Sequence, residues 1–193
     1  MVPPELARSE DLPSPRERSE VAALSDIFRH VYRVVRPRSL LVAGPGPLEA
    51  LDCVDPLLTR RAVGIDRDIQ GVAVARQRYR HLGPALELYR ADPLRARLQP
   101  QADFDLVYAS LLFEELEAEP LARAIASWLA PGGICAVVSP LPPGSAEASA
   151  TAPADLVPDL LARTGLRRAG SFEARLLGPA RHRVAFFRAG GRK

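Results

Sequence analysis

The sequence is nearly devoid of lysine. Lys193 is the only one, so all but one of the 26 basic residues are arginine. A net charge of +3 invites a nucleic-acid reading, but acidic residues accompany most of the arginines. That pattern describes a mixed, solvated surface and disfavours nucleic acid as a partner. Two arginine clusters, Arg33/Arg36/Arg38 and Arg163/Arg167/Arg168, stand out as hints of an acidic partner. Cysteine is equally scarce. Cys53 and Cys135 fall in a predicted helix and a predicted buried strand, with no second Cys or His at ligand spacing, so they read as buried thiols and no metal site is expected. No apolar run approaches the roughly 18 residues of a membrane span. The N-terminal MVPPELARSEDLPSPRE has no apolar core, which argues against a secretory signal and makes the cytoplasm the expected location. What is present, 193 residues with 47% hydrophobic and 25% charged, is the composition of one soluble globular domain with a sizeable core.

The organising stretch is Leu40 to Asp66, LLVAGPGPLEALDCVDPLLTRRAVGID. A short apolar run, Leu40 to Ala43, has the length of a buried strand. It breaks at Gly44-Pro45-Gly46-Pro47, and an apolar segment with helical spacing follows. A second run, Ala62 to Ile65, ends in Asp66. Strand, glycine turn, helix, strand and acid form the opening unit of a nucleotide-binding α/β sheet, and Asp66 stands 22 residues after Gly44, near the spacing that sets an acid over a ribose.

The rest of the chain continues the alternation. Residues 1–13 read as a flexible arm and 14–193 as a single domain. Ser14-Pro15-Arg16-Glu17 is a helix start, and Val21, Leu24, Phe28, Val31 and Val35 give that helix (14–36) one apolar face before Pro37 stops it. Asp68 is placed to cap a second helix through Ile69, Val72 and Tyr79. Ala85–Ala91 reads as a third strand ending at Asp92-Pro93, and Phe104–Ala109 as a fourth, with a loop from Ser110 to Glu115. Pro120 opens a helix with Leu121, Ile125, Trp128 and Leu129 on one face, which makes Trp128 a core residue. Pro131-Gly132-Gly133 turns into a fifth strand, Ile134–Val138. The Pro-, Ser- and Ala-rich segment 140–153 is expected to be a mobile lid or a solvated linker. A helix marked by Leu156, Leu160 and Leu161 stops at Gly165. Strands near Leu166–Glu173 and Arg181–Arg188, joined at Gly178-Pro179 without a helix between them, must pair antiparallel. The fold class is therefore α/β, a Rossmann-like doubly wound, mostly parallel seven-stranded sheet with a C-terminal antiparallel hairpin.

Ligands of such sheets bind beyond the carboxyl ends of the strands. Gly44 and Gly46 let a ligand approach the backbone, and the following helix N-terminus favours negative groups; a purely structural turn explains two glycines equally well. Asp66 suits a ribose diol, with helix capping as the plain alternative. Asp92 suits an adenine amine, or else it caps the segment after Pro93.

These segments resemble the class I S-adenosylmethionine-dependent methyltransferases, from about Leu40 to the C-terminus. LLVAGPG is similar to their glycine loop, VGID to the ribose-binding strand end, ADPL to the adenine-contacting segment, FDLVYASLLFEEL to the fourth strand and loop, and LARAIASWLAPGGICAVVSP to the helix and fifth strand. The resemblance implies S-adenosylmethionine as cofactor, held by Gly44, Gly46, Asp66, Arg67, Asp92, Pro93 and Ala109, with the methionine moiety along the glycine loop and the methyl group near Ala109. It also implies that the first helix forms a wall or cover. The glycine loop is degenerate against the family pattern. Val42 stands where an acid usually helps organise the cofactor's ammonium end, and Leu48 where a third glycine is common. Pro45 and Pro47 remove two backbone donors.

Methyl transfer needs alignment of a nucleophile and, for oxygen or carbon acceptors, a base. Glu114, His30 and Tyr32 are the candidates, together with the neighbouring Glu115. Tyr108-Ala109-Ser110-Leu111 stands where base-amine methyltransferases carry an Asn-Pro-Pro-aromatic tetrapeptide, which argues against amine methylation of nucleic-acid bases; the acceptor is unidentified and expected to be a small molecule. Three rival readings share the same residues: an NAD(P)-dependent oxidoreductase, whose third glycine would fall at Glu49; an aminocarboxypropyl transferase, suggested by the GPGPL turn; and a non-catalytic binding or scaffold protein on the same fold. Oligomeric state is left open by the sequence.

Overall fold

The computed structural model describes residues 20–44, 46–96, 98, 103–141, 153–175 and 181–191. The expected arm at 1–13, the helix start at Ser14–Glu17, residues 142–152 of the 140–153 loop and the Gly178-Pro179 turn lie outside the described residues.

Seven strands form one sheet in the order β3-β2-β1-β4-β5-β7-β6. They span β1 Ser39–Ala43, β2 Arg61–Asp66, β3 Leu86–Arg90, β4 Phe104–Ser110, β5 Leu129–Leu141, β6 Arg167–Arg175 and β7 Arg181–Arg188. β1 to β5 pair in parallel, and β7 lies antiparallel between β5 and β6. The unbroken apolar run Leu40–Ala43 is explained by this place: β1 is central and buried on both faces. Asp105 fixes its start by accepting the Arg38 and Ser39 amides at 2.9 and 3.1 Å.

Helices cover both faces. α1 (Glu20–Val35), a 3₁₀ helix (Pro47–Cys53) and α2 (Ile69–Arg78) share a core with Leu40, Val42 and Tyr108. α3 (Leu112–Glu115), α4 (Ala118–Trp128) and α5 (Pro153–Arg163) cover Leu41, Ala43 and Val107 on the other side. On α1 the buried stripe centres on Leu24, Ile27, Phe28, Val31 and Tyr32, while Val21 and Val35 are half-buried at its ends. Trp128 lies in the core with Leu121 and Ile125, as its spacing predicts. On α5 the inward positions are Val157 and Leu161, and Leu156 faces solvent at 51% exposure.

Two elements differ from the sequence expectation. The helix after the glycine turn is a seven-residue 3₁₀ helix. Gly46 offers it no side-chain cap, and Pro56 biases Asp55 away from helical backbone, so the chain turns back to β2 early. Pro131-Gly132-Gly133 forms no separate turn. It lies inside β5 as an irregularity, where pairing jumps from Phe104–Leu129 to Leu106–Ile134. A Cβ on Gly133 would stand 2.7 Å from the Phe104 carbonyl oxygen, so only glycine passes there.

Asp68 caps α2, accepting the Gln70 and Gly71 amides at 2.9 Å each. Leu48 fits over β2 because position 64 is glycine: a Cβ there would lie 2.5 Å from Leu48 Cδ2 and 2.6 Å from Leu88 Cδ2. The departure at Leu48 is thus matched by Gly64 beneath it.

α1 runs opposite to β1, from Leu24 at the strand's C-terminal end to Tyr32 beside Thr59 ahead of β2. Arg29 ties it to the 3₁₀ helix through Asp52 at 2.9 Å. Burial acts to raise the Asp52 carboxyl, but the hydrogen bond and charge of Arg29 outweigh it and hold the group below its ordinary value. A depressed carboxylate stabilises the fold above the unfolded-state value and loses that contribution as pH falls through the folded one. Because Asp52 is half exposed, Asp52→Asn should cost only about 0.5 kcal/mol at pH 7 and nothing measurable in acid. Urea unfolding at the two pH values checks this; an unchanged difference in acid would exclude the tether.

Candidate functional site

The carboxyl ends of β1 to β4 bring Gly44/Gly46, Asp66, Asp92 and Ala109/Ser110 to one edge of the sheet. Gly44 and Gly46 both take left-handed backbone, at φ 92° and 94°. A Cβ on Gly44 would stand 2.0 Å from the Ser110 carbonyl oxygen, and one on Gly46 would stand 2.6 Å from Leu24 Cβ. Both glycines are therefore required by the protein's own packing, against the end of β4 and against α1. This internal reason stands beside the expectation that they admit a ligand, and Gly46 also lines a cleft. Ser25 adds to the contact, its hydroxyl donating to the Gly46 carbonyl at 2.8 Å. The expected helical dipole is also curtailed, because the helix that follows is short and 3₁₀.

Gly46 and Asp66 open on one cleft of about 320 Å³, between the 3₁₀ helix, the tip of α1 and the start of α2. Val21, Leu48, Val74 and Tyr79 give it apolar walls, and Glu49, Asp66, Asp68, Gln70 and Arg78 a polar lining. Tyr79 holds α2 to the 3₁₀ helix by donating to the Glu49 carbonyl at 2.6 Å, and burial pushes its phenol up. Asp66 is half-buried. One of its oxygens accepts the Asp68 amide at 2.9 Å; the other has no partner among the described residues.

Asp92, Pro93 and Arg67 form a second group beside that cleft. Asp92 accepts the Leu94 amide at 3.0 Å and the Arg67 guanidinium at 3.0 Å, so it both caps the turn after Pro93 and carries an ion pair. Arg67 also reaches to within 3.9 Å of Glu115 on α3, spanning the ends of β2, β3 and β4. Ala109 is buried in register between Ala43 and Val137, and the cleft does not reach it.

Of the three candidate bases, only Glu114 stands beside the crevice, exposed on α3. His30 lies six residues below Leu24, about 9 Å along the helix. Its ring meets Phe172 of β6 edge-on at 5.6 Å, so it faces the C-terminal hairpin. Tyr32 is buried at the far end of the sheet, bonded to Thr59 at 2.8 Å and accepting the Asp55 amide at 2.9 Å. Those two assignments are corrected: α1 runs away from the crevice, and only its first turns border it. Sequence reasoning missed Ser25. Ser25 could have been found, since it falls inside the buried arc between Leu24 and Phe28. Ser110 has a fully buried hydroxyl with no hydrogen-bond partner among the described residues, at the very end of β4. Among the described residues no group of three His, Cys, Asp or Glu is placed to hold a metal, and no helix is long and apolar enough to cross a membrane.

Residues 43–133 match a family model described as a methyltransferase domain. A comparison with curated proteins found no match. Among solved structures, the 4+2 cyclase SpnF aligns at TM-score 0.70 and 16% identity, over 93% of this chain and 85% of its own. The N-methyltransferase NodS from Bradyrhizobium japonicum, in complex with S-adenosyl-L-homocysteine, aligns at TM-score 0.63 and 16% identity, over 96% and 94%. A proposed sarcosine dimethylglycine methyltransferase from Galdieria sulphuraria aligns at TM-score 0.68 and 12% identity, over 94% of each chain. Residues 43–133 thus match a methyltransferase domain, and the chain has the Rossmann-like fold of these solved structures.

Position 42, where that family usually has an acid, is occupied here by a valine 1% exposed in the core shared by Leu24, Leu48 and Tyr108. A carboxylate placed there would be a buried charge in apolar surroundings. Val42→Asp should therefore destabilise the protein by about 3 kcal/mol or more. An unchanged urea midpoint would show instead that the loop can still serve an acid at this place.

Proposed function

We propose that the protein is an S-adenosylmethionine-dependent methyltransferase acting on a small-molecule acceptor. The observation that carries this reading is Asp66, a strand-end carboxylate with one oxygen unengaged among the described residues, lining a cleft of about 320 Å³ together with Gly46. In this reading residues 14–193 form one domain.

The residues present fit the nucleoside half of that cofactor. Asp66 would accept from the ribose diol, and Asp92 would accept from the adenine amine beside Pro93 and Arg67. The fit at the amino-acid end is looser. Val42 leaves no carboxylate for the ammonium group, and the Cα faces of Gly44 and Gly46 are already in contact with Ser110 and Leu24. When bound, the cofactor supplies a methyl group made electrophilic by its sulfonium. The protein's part is alignment and exclusion of water: Leu24 and Ser25 close the loop from the α1 side, and Glu114 is the side chain beside the crevice able to take a proton from an acceptor.

A second reading, a non-catalytic binding protein, is favoured by the buried Val42 and by the Arg67–Asp92 ion pair across two strand ends. SpnF, a cyclase, is a further instance of this fold in a protein of another description.

Thermal unfolding with S-adenosylmethionine, S-adenosylhomocysteine, NAD and NADP in turn discriminates the cofactor. The sulfur nucleosides should stabilise the protein by roughly 2.7 kcal/mol at about a hundred times the dissociation constant. Asp66→Asn keeps the acceptor for the Asp68 amide and should lose most of that shift. No shift with either sulfur nucleoside, or a full shift in Asp66→Asn, would overturn the proposal.

A further inference from the structure

At the end of the sheet opposite the crevice, β1, β2 and β6 begin and β7 and α1 end. Arg33 and Arg36 close α1, and Arg38 and Arg60 immediately precede β1 and β2. Arg167 and Arg188 stand directly opposite each other in the β6–β7 register. Arg188 is half-buried and the other five are exposed. None of the six makes an ion pair or a side-chain hydrogen bond among the described residues. The Nε of Arg188 is buried without a hydrogen-bond partner there.

Counter-charges at this end are few. Glu87 is held by Arg61 at 2.9 Å. Asp105 accepts the Arg38 and Ser39 amides, Asp55 accepts the Leu57 amide, and Asp103 is exposed. Six guanidiniums against these three carboxylates leave a surplus equal to the net +3 of the whole chain. The helix dipole accounts only for Arg33, in the last turn of α1. Arg167 and Arg188, like charges facing across two strands, destabilise the protein when nothing neutralises them.

An apolar side chain is fixed at the edge of this surface. Leu57 is 93% exposed, yet its loop is bonded at both ends. Asp55 accepts the Leu57 amide at 2.9 Å, and its carbonyl accepts the Leu58 and Thr59 amides at 3.1 and 2.8 Å. The Thr59 hydroxyl donates to the Pro37 carbonyl at 2.7 Å, and the Arg60 amide to the Arg38 carbonyl at 2.8 Å. The basic surface runs from β2 to β6, five strand spacings or about 24 Å.

We propose that this end docks an acidic polypeptide segment in which carboxylates flank an apolar side chain. The arginine forks take the carboxylates, and Leu57 packs on the apolar residue. A nucleic acid fits less well. The neighbouring rings of Tyr32, Phe104 and Phe187 are buried and offer bases no stacking platform, and Asp55 and Asp103 interrupt the row a phosphate backbone would follow. The surface lies at the other end of the sheet from Asp66, so it stands whether or not that cleft binds a nucleoside.

Fluorescence anisotropy of the full chain with a labelled peptide repeating Glu-Glu-Leu-Glu tests it. The comparators are the same peptide with Gln for Glu, a labelled oligo-dT and, by co-sedimentation, phosphatidylserine vesicles. The acidic peptide should bind saturably and more weakly as salt rises. The Gln peptide should not bind, and oligo-dT and vesicles should bind more weakly than the acidic peptide. Arg60→Gln with Arg167→Gln should weaken the acidic peptide by roughly tenfold or more, and Leu57→Ser by roughly threefold. The urea midpoint should hold in both variants, and Arg167→Gln alone should hold or raise it, which a structural role for that arginine would not allow. Asp66→Asn should bind as wild type does. No saturable binding of the acidic peptide, tighter binding of oligo-dT or vesicles, or equal binding by wild type and both variants would overturn the proposal.

Discussion

Two contacts too close for a side chain set the geometry of this protein. The end of β4 rests on Gly44, and the backbone side of α1 rests on Gly46. Together they lock the glycine loop between the central strands and the first helix. The left-handed backbone at both glycines follows from that confinement, and any larger residue would push apart elements that carry the core. The strand ends are aligned by the same lock, because β1 and β4 meet at the topological switch point of the sheet.

The lock also changes what a glycine loop means here. In the family resemblance the loop is a cradle for a cofactor; in this chain its Cα faces are occupied by protein. Leu48 extends the theme, since it fills the hollow left by Gly64 and so belongs to the core as well as to the cleft wall. The remaining opening lies to the side of the loop, toward α2, where Asp66 presents its second oxygen. In the proposed function, ligand recognition at this edge therefore rests more on the acid at the end of β2 than on the glycines that first draw the eye.

Much of the fold was legible because it is written in local periods. The alternation of short apolar runs and amphipathic segments gave the sheet, the capping role of Asp68, the buried Trp128 and the antiparallel final hairpin. The methyltransferase resemblance rested on the same strand ends, and the match over residues 43–133 covers the glycine loop through the Pro131-Gly132-Gly133 segment. What was illegible depends on distances between parts of the chain far apart in sequence. No spacing rule says that Leu24 will touch Gly46, that Tyr32 will bond Thr59 at the wrong end of the sheet for catalysis, or that His30 will meet Phe172. The irregularity inside β5 was hidden for a related reason: Pro-Gly-Gly signals a break in regular backbone, and only pairing with Phe104 decides that the break is absorbed within a strand. Arg167 shows the limit from the other side. The sequence marked it as part of a cluster with Arg163 and Arg168, whereas the structure sets it directly opposite Arg188, brought in by strand register.

The central claim is that a nucleoside enters beside the locked loop and is held at Asp66. Backbone amide spectra recorded while S-adenosylhomocysteine is titrated in would test it most directly. Saturable shifts should concentrate at Gly46, Glu49, Asp66 and Asp68 to Gly71, with Ser139 and Arg183 on the opposite face unmoved. Shifts absent from the loop and from the end of β2 at saturation, or confined to the opposite face, would contradict the account.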